Sequence, residues 1–252
     1  MNPPFVVSFG GGVNSGAMLI GMRDRGLVPL GIYFADTGSE LPATYDFVAA
    51  FSERIVSWGF PPIERVFKTY RGQFEGLEKA SLRLKTLPGL AFGTRSCSMK
   101  YKGEPLDKRL KQLIKANGLT PPVKKAIGYD AGEPWRANKM SSVPRLWTAW
   151  YPLVEWGWTR EECKTILWHE GFTPPKSSCF FCPAYKKGEI IRLAEEHPEF
   201  MERALAIENA ASVNTTRGLG GIFKWAEVLN ADRQQMRFDM NENPFIPCGC
   251  VE

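Results

Sequence analysis

A chain of 252 residues, 44% apolar and 23% charged, is long enough to bury a substantial core as one large domain or as a domain with an appendage. That composition is ordinary for a globular protein and excludes a fibrous or low-complexity chain. A net charge of +5 permits a polyanionic partner without requiring one, and no apolar run is long enough to span a bilayer.

Phe5 to Phe9 is an apolar run that reads as a short buried strand. Gly10, Gly11, Gly12, Val13, Asn14 and Ser15 follow, and Ala17 to Met22 predict a helix. Strand, glycine-rich turn and helix start form the layout of a phosphate-binding loop. Glycines let the backbone approach an anion, the first free N–H groups of the helix point at it, and Ser15 can add a hydroxyl. A plain strand-to-helix turn has the same composition, and the pattern matches neither GxGxxG nor GxxxxGK[ST].

Leu30 to Ala35 predicts a second strand, ending in the polar cluster Asp36-Thr37-Gly38-Ser39-Glu40. Polar residues at the C-terminal end of a parallel strand lie where open α/β sheets bind ligands, although an Asp-Thr-Gly turn alone would look the same. A helix is expected from Pro42 to Trp58, and a third strand from Ile63 to Phe67. From Arg71 to Thr94 the pattern weakens to a short helix and a long loop that could cover a site. Cys97 follows among basic residues, a setting that makes a thiol reactive or ligating; a buried structural Cys is the plainer reading. The stretch from Arg95 to Lys125 is rich in Lys and Arg, which by itself describes a solvated helix face. Leu106 to Ala116 predicts an amphipathic helix, and Lys125 to Gly128 a further strand running into Tyr129-Asp130-Ala131-Gly132-Glu133-Pro134-Trp135-Arg136. Alternating strands and helices imply a mostly parallel, Rossmann-like α/β sheet with helices on both faces, over about 1–145.

Residues 146–252 read as a C-terminal helical region. Leu146 to Trp158 carries four of the eight tryptophans, read as core rather than as a base-stacking platform. Thr159 and Glu162 form a capping box ahead of a helix that carries Cys163 as a small buried residue. Cys179 and Cys182 form a CxxC pair, whose spacing lets two thiolates hold one ion or cluster. Helices are expected over 186–197 and 198–211, and a short one over 222–229. The tail holds Cys248 and Cys250. Six cysteines without a basic-then-apolar leader argue for reduced thiols or a metal site, and for a cytoplasmic location. With Cys97, Cys179 and Cys182, a fourth thiolate from Cys248 or Cys250 would suit zinc or a [4Fe-4S] cluster.

GGGVNS resembles the SGGxDS pyrophosphate loop of the PP-loop enzymes, the adenine nucleotide alpha-hydrolase superfamily. More narrowly, the chain resembles the phosphoadenosine phosphosulfate (PAPS) reductase-like branch in the form often carried by phages. Gly10 stands where that motif has Ser, and Asn14 where it often has Asp; both keep a small or polar residue. FADTGSELPATYDFV is similar to the family's DTG segment. Arg-Ser-Cys-Ser-Met-Lys and Cys-Phe-Phe-Cys-Pro are similar to its two cysteine segments. The resemblance spans roughly positions 5 to 230. It implies ATP, with Mg²⁺, or PAPS bound by Gly10, Gly11, Gly12, Asn14, Ser15, Asp36, Thr37 and Gly38. It further implies Arg136, with Lys100 second to it, as cations on the phosphates, Asp36 among the catalytic residues, and an iron–sulfur cluster on Cys97, Cys179 and Cys182, either with an open iron site or with a fourth ligand from the tail, for which Cys248 is the first choice. Two reactions follow. In one, ATP is split at its α-phosphate, AMP activates an oxygen or nitrogen centre on a nucleic acid or similar acceptor, and sulfur from a donor protein replaces the adenylate. In the other, a cysteine thiolate reduces PAPS or adenosine phosphosulfate to sulfite. A non-catalytic nucleotide-binding subunit of a modification or defence complex is a third reading, and a homodimer is compatible with each.

Overall fold

The structure is a computed structural model that describes residues 3–88, 90–91, 94–95, 97–139, 143, 145–212 and 216–242. The strands are β1 (Phe5–Phe9), β2 (Gly31–Asp36), β3 (Ile63–Phe67), β4 (Thr69–Tyr70), β5 (Gln73–Phe74), β6 (Leu90–Ala91), β7 (Thr94–Arg95), β8 (Val123–Ile127) and β9 (Trp147–Trp150). The α-helices are α1 (Val13–Asp24), α2 (Pro42–Ser57), α3 (Leu77–Leu84), α4 (Glu104–Ala116), α5 (Pro134–Lys139), α6 (Pro152–Glu155), α7 (Arg160–His169), α8 (Lys187–Glu196), α9 (Pro198–Ala210) and α10 (Trp225–Glu242). The chain divides into two compact units, 1–77 with 97–179 and 78–96 with 180–252. This division does not coincide with the boundary at 145/146 drawn from the sequence, because the tryptophan-rich stretch adds β9 to the sheet.

The first unit is an α/β structure on a five-stranded sheet of order β3-β2-β1-β8-β9, with every neighbouring pair parallel. Strand periodicity sorts its apolar residues onto two faces. Phe5, Val7, Phe9, Ile32, Phe34, Ile63 and Ala126 form one core with residues of α1, α2 and α7. Val6, Tyr33, Ala35, Val66, Val123, Ile127 and Trp147 form the other with Leu106, Leu110 and Leu113 of α4. Lys108, Lys111 and Lys115 on the far side of α4 are exposed, the solvated face expected of the basic stretch. Lys125 departs from that expectation. It is buried on β8, 3.2 Å from Asp107 and stacked on Trp147, and burial pushes its ammonium down to about 8.

Helix α1 is buried on almost every side from Val13 to Met22. Close neighbours on several sides require small residues. A Cβ at Gly16 would lie 3.0 Å from Leu167 on α7, and one at Gly21 would overlap Trp156 and Trp158. The tryptophans therefore belong to packing, as expected: Trp147 is in the sheet core, and Trp150, Trp156 and Trp158 pack against the α1 side.

Several elements differ from the sequence reading. α1 starts at Val13, inside the glycine-rich motif. Residues 71–94 contain α3 and parts of the two small hairpins β4–β5 and β6–β7. A wide helical turn, Ser98–Gly103, precedes α4. The helix expected at 222–229 is the start of the 18-residue α10, which continues past its apolar residues through good helix formers with no Gly or Pro. Among the described residues, no helix is long and apolar enough to cross a membrane.

The second unit is mainly helical, with α8, α9 and α10 in mutual contact. Its buried residues include Phe180, Phe181, Ile190, Leu193, Ala204, Ile207 and Trp225. Glu208 on α9 is buried, and its carboxylate accepts from the backbone N–H groups of Leu219 (2.8 Å), Trp225 (3.0 Å) and Ala226 (3.2 Å). It thus caps the start of α10 from another helix, satisfying N–H groups that have no partner within α10 itself.

Two stability predictions follow from these contacts. Gly21→Ala is expected to destabilise the chain by about 1–3 kcal/mol in urea unfolding, through overpacking against the tryptophans. Glu208→Ala should cost about 1–3 kcal/mol by the same measurement, because it leaves buried N–H groups unpaired.

Candidate functional site

The order β3-β2-β1-β8-β9 places a topological switch between β1 and β8. The chain moves outward from β1 to β2 and β3, then returns to the other side of β1. Ligands of open α/β sheets bind at such a point, beyond the carboxyl ends of the strands. Gly10, Gly11 and Gly12 leave β1 there and open directly into α1. Gly12 is the N-cap, without a side chain to occupy the first N–H groups, and the first turn carries no acid. These N–H groups and the positive end of the helix dipole lie together at this edge of the sheet.

The glycines are not equivalent. Gly11 has φ +72°, and a Cβ there would lie 2.9 Å from the Phe34 ring. Gly10 is exposed, and a Cβ there meets only Ser15 Oγ, at 3.6 Å. Ser177 Oγ donates to the Gly10 carbonyl, fastening the loop from the segment that leads to Cys179. Ser15 is buried and its hydroxyl donates to the Gly12 carbonyl at 3.1 Å, so it braces the loop rather than standing open to a ligand. Asn14 donates to the buried Asp130 at 2.7 Å and accepts from Arg160 at 3.3 Å. Asp130 also accepts from the Gly132 N–H at 2.9 Å. Gly128 makes this junction possible: a Cβ on it would lie 3.0 Å from the Ser15 nitrogen. Asp130, Arg160, Ser177 and Gly128 were not singled out from sequence. Their role appears only once β8 is known to lie beside β1; a glycine and an acid just after a parallel strand were the available signal.

Asp36, Thr37 and Gly38 turn out of β2 at the same edge of the sheet. Asp36 is buried, and its carboxylate accepts from the Gly38 N–H (2.8 Å), the Tyr45 hydroxyl (2.8 Å) and Arg65. Burial, then the hydrogen bond to Asp36, raises the Tyr45 hydroxyl well above the ordinary phenol range. Gly38 has φ +68°. Thr37 Oγ1 lies 3.1 Å from Cys179 Sγ, and Glu40 makes an antiparallel bridge to Cys179. Glu40 is buried, with Oε1 3.3 Å from Lys102 Nζ and no hydrogen-bond partner for Oε2 among the described residues. Burial raises its carboxyl, an effect the Lys102 charge only partly offsets.

The expected phosphate cations are placed differently from each other. Arg136 is held by its own loop. One guanidinium nitrogen reaches both Glu133 oxygens, at 2.8 and 2.9 Å, and the group stacks 4.3 Å above Tyr129. Lys100 is exposed on the turn Ser98–Gly103.

Cys179 is buried, while Cys97 and Cys182 are partly exposed. Cys182 belongs to the second unit, where its carbonyl accepts from Tyr185. The expected ligands Cys248 and Cys250 lie outside the described residues. Among those described, no three His, Cys, Asp or Glu side chains form a group able to hold a metal ion. Cys163 is fully buried inside α7, and burial pushes its thiol up to about 12, which makes it an inert packing residue.

No family model matches the chain. A relative, the uncharacterised protein MJ0973 of Methanocaldococcus jannaschii, is 23% identical over 229 residues, or 88% of this chain and 51% of the relative. The chain thus spans about half the length of the protein it is similar to.

The raised Glu40 carboxyl yields a pH prediction. The folded chain takes up this proton at a higher pH than the unfolded chain does. Stability therefore falls as pH rises from the ordinary carboxylate range through the folded value. Glu40→Gln is expected to raise stability at pH 7 by about 1–2 kcal/mol, by removing a buried ionisable carboxyl whose proton affinity the fold raises. The gain should shrink as pH falls toward the ordinary carboxylate range, read as Tm against pH for the two proteins.

Proposed function

We propose that the chain is a nucleotide-binding PP-loop enzyme of the PAPS reductase-like kind, which binds ATP at Gly10–Ser15 and transfers sulfur to an adenylated acceptor. The observation that carries this reading is the position of the glycine-rich loop. It opens a helix whose first N–H groups have no cap side chain, at the switch point of a parallel sheet. Exposed Gly10 and the N-cap Gly12 leave room for phosphates to approach the backbone, while Gly11, Ser15 and Asn14 hold the loop's shape.

In this scheme the acceptor oxygen or nitrogen attacks the α-phosphorus of ATP. The bond to the β-phosphate oxygen breaks, and pyrophosphate leaves. A sulfur nucleophile then displaces AMP from the activated acceptor. The loop N–H groups stabilise the charge on the departing pyrophosphate, and Mg²⁺, when bound, would supply further neutralisation. Asp36, engaged by three donors, positions the turn after β2 rather than transferring a proton. Arg136 serves the phosphates only by leaving Glu133; in its present position it is a loop-ordering residue.

The test is calorimetric titration of the full chain with ATP and, separately, with PAPS. ATP is expected to bind. Gly10→Val, whose Cβ would meet Ser15 Oγ at an ordinary 3.6 Å, should weaken that binding at least about tenfold by obstructing the anion's approach, with little change in Tm. Binding of PAPS and not ATP would move the assignment to reduction of the sulfonucleotide. Binding of neither would overturn both enzyme readings.

A further inference from the structure

Residues 65–74, RVFKTYRGQF, carry three cations, three aromatic rings and no acid. The stretch forms the end of β3 and the hairpin β4–β5. Its rings are not core: Phe67 is 45% exposed, Tyr70 41% and Phe74 47%. Phe67 and Phe74 meet edge to face at 5.1 Å, and the Arg71 guanidinium lies 5.3 Å from the Tyr70 ring centroid. At the hairpin tip Arg71 has φ +50° and Gly72 φ +79°. Two-residue turns with both φ positive favour Asn, Asp or Gly at the first position, so an Arg there accepts strain to hold a cation at the tip.

The turn Ser98–Gly103 adjoins this surface, with Lys68 Nζ 5.3 Å from the Tyr101 ring. It adds the exposed Met99 and Lys100. Arg65 is paired with Asp36 and Lys68 with Glu104, whereas Arg71 and Lys100 have no carboxylate partner among the described residues. The patch also borders the candidate site: a Cβ on Gly38 would lie 2.6 Å from the Phe74 ring.

We infer that this surface binds single-stranded nucleic acid, with Phe67, Tyr70 and Phe74 stacking unpaired bases and Arg71 and Lys100 holding phosphates. Exposed rings alone would equally suit a protein partner. Cations without a carboxylate beside rings, in a stretch without acids, favour a polyanion. Rings offered edge and face to solvent favour unpaired bases over a duplex, whose bases are already stacked. That the bound strand is the sulfur acceptor rests on the function proposed above; the binding itself does not.

The experiment is fluorescence anisotropy of the full chain, without ATP, against a labelled mixed-sequence RNA of about 12 nucleotides at about 50 mM salt. Wild type is expected to bind it more tightly than the matching duplex. Phe67→Ala should weaken binding roughly tenfold with little change in salt dependence. Arg71→Gly relieves the strained turn and so leaves the fold intact. It should weaken binding about fivefold and lower the salt slope by about 0.7, the share of one phosphate contact. ATP titration of the same variants separates the two readings. RNA binding without ATP binding overturns the proposed enzyme and leaves this surface standing. No RNA binding by wild type, equal binding of the duplex, or unchanged affinity in both variants overturns the inference whatever ATP does.

Discussion

A helix buried on nearly every side must meet its neighbours through small residues, and the sheet unit is built around that constraint on α1. Gly16 admits Leu167 of α7, Gly21 admits Trp156 and Trp158, and Gly128 brings the end of β8 against the helix start. These contacts fix the N-terminus of α1 at the switch between β1 and β8. The positive end of the helix dipole then lies beyond the carboxyl ends of the strands, where the strand order reverses. Packing and the candidate site are therefore consequences of the same close approach.

Around that point the polar residues divide into those that shape the loop and those that remain open. Ser15, Asn14, Asp130 and Ser177 satisfy one another or the backbone. Asp36 is similarly occupied by Gly38, Tyr45 and Arg65. Such networks cost little when fully paired and preorganise the backbone that would meet a ligand. Glu40 is an exception: it is buried, with one oxygen unpaired among the described residues and its charge only partly balanced by Lys102.

The two units are stabilised by different means. The sheet unit relies on alternating apolar residues filling two faces. The helical unit has few strands to organise it and depends on Glu208 to cap α10 across from α9. A buried carboxylate in that position is justified because it takes up three backbone N–H groups around the start of α10.

Much of the architecture was legible in the chain itself. Apolar runs at Phe5–Phe9, Leu30–Ala35 and Ile63–Phe67, with the amphipathic repeat of α4 between basic residues, determine a parallel α/β sheet covered on both faces, because strand and helix periodicities are local properties. Thr159 and Glu162 likewise announced the start of α7. The glycine-rich loop was legible as a strand-to-helix turn, but its neighbours were not. That Asn14 meets Asp130, that Ser177 fastens Gly10 and that Thr37 meets Cys179 depend on strand order and crossover, which bring together residues more than 100 positions apart. The same holds for which cations are already paired. Arg136 and Lys100 both read as phosphate cations in the sequence, and only the fold commits Arg136 to Glu133 and leaves Lys100 exposed, because pairing is decided by how the backbone places the side chains.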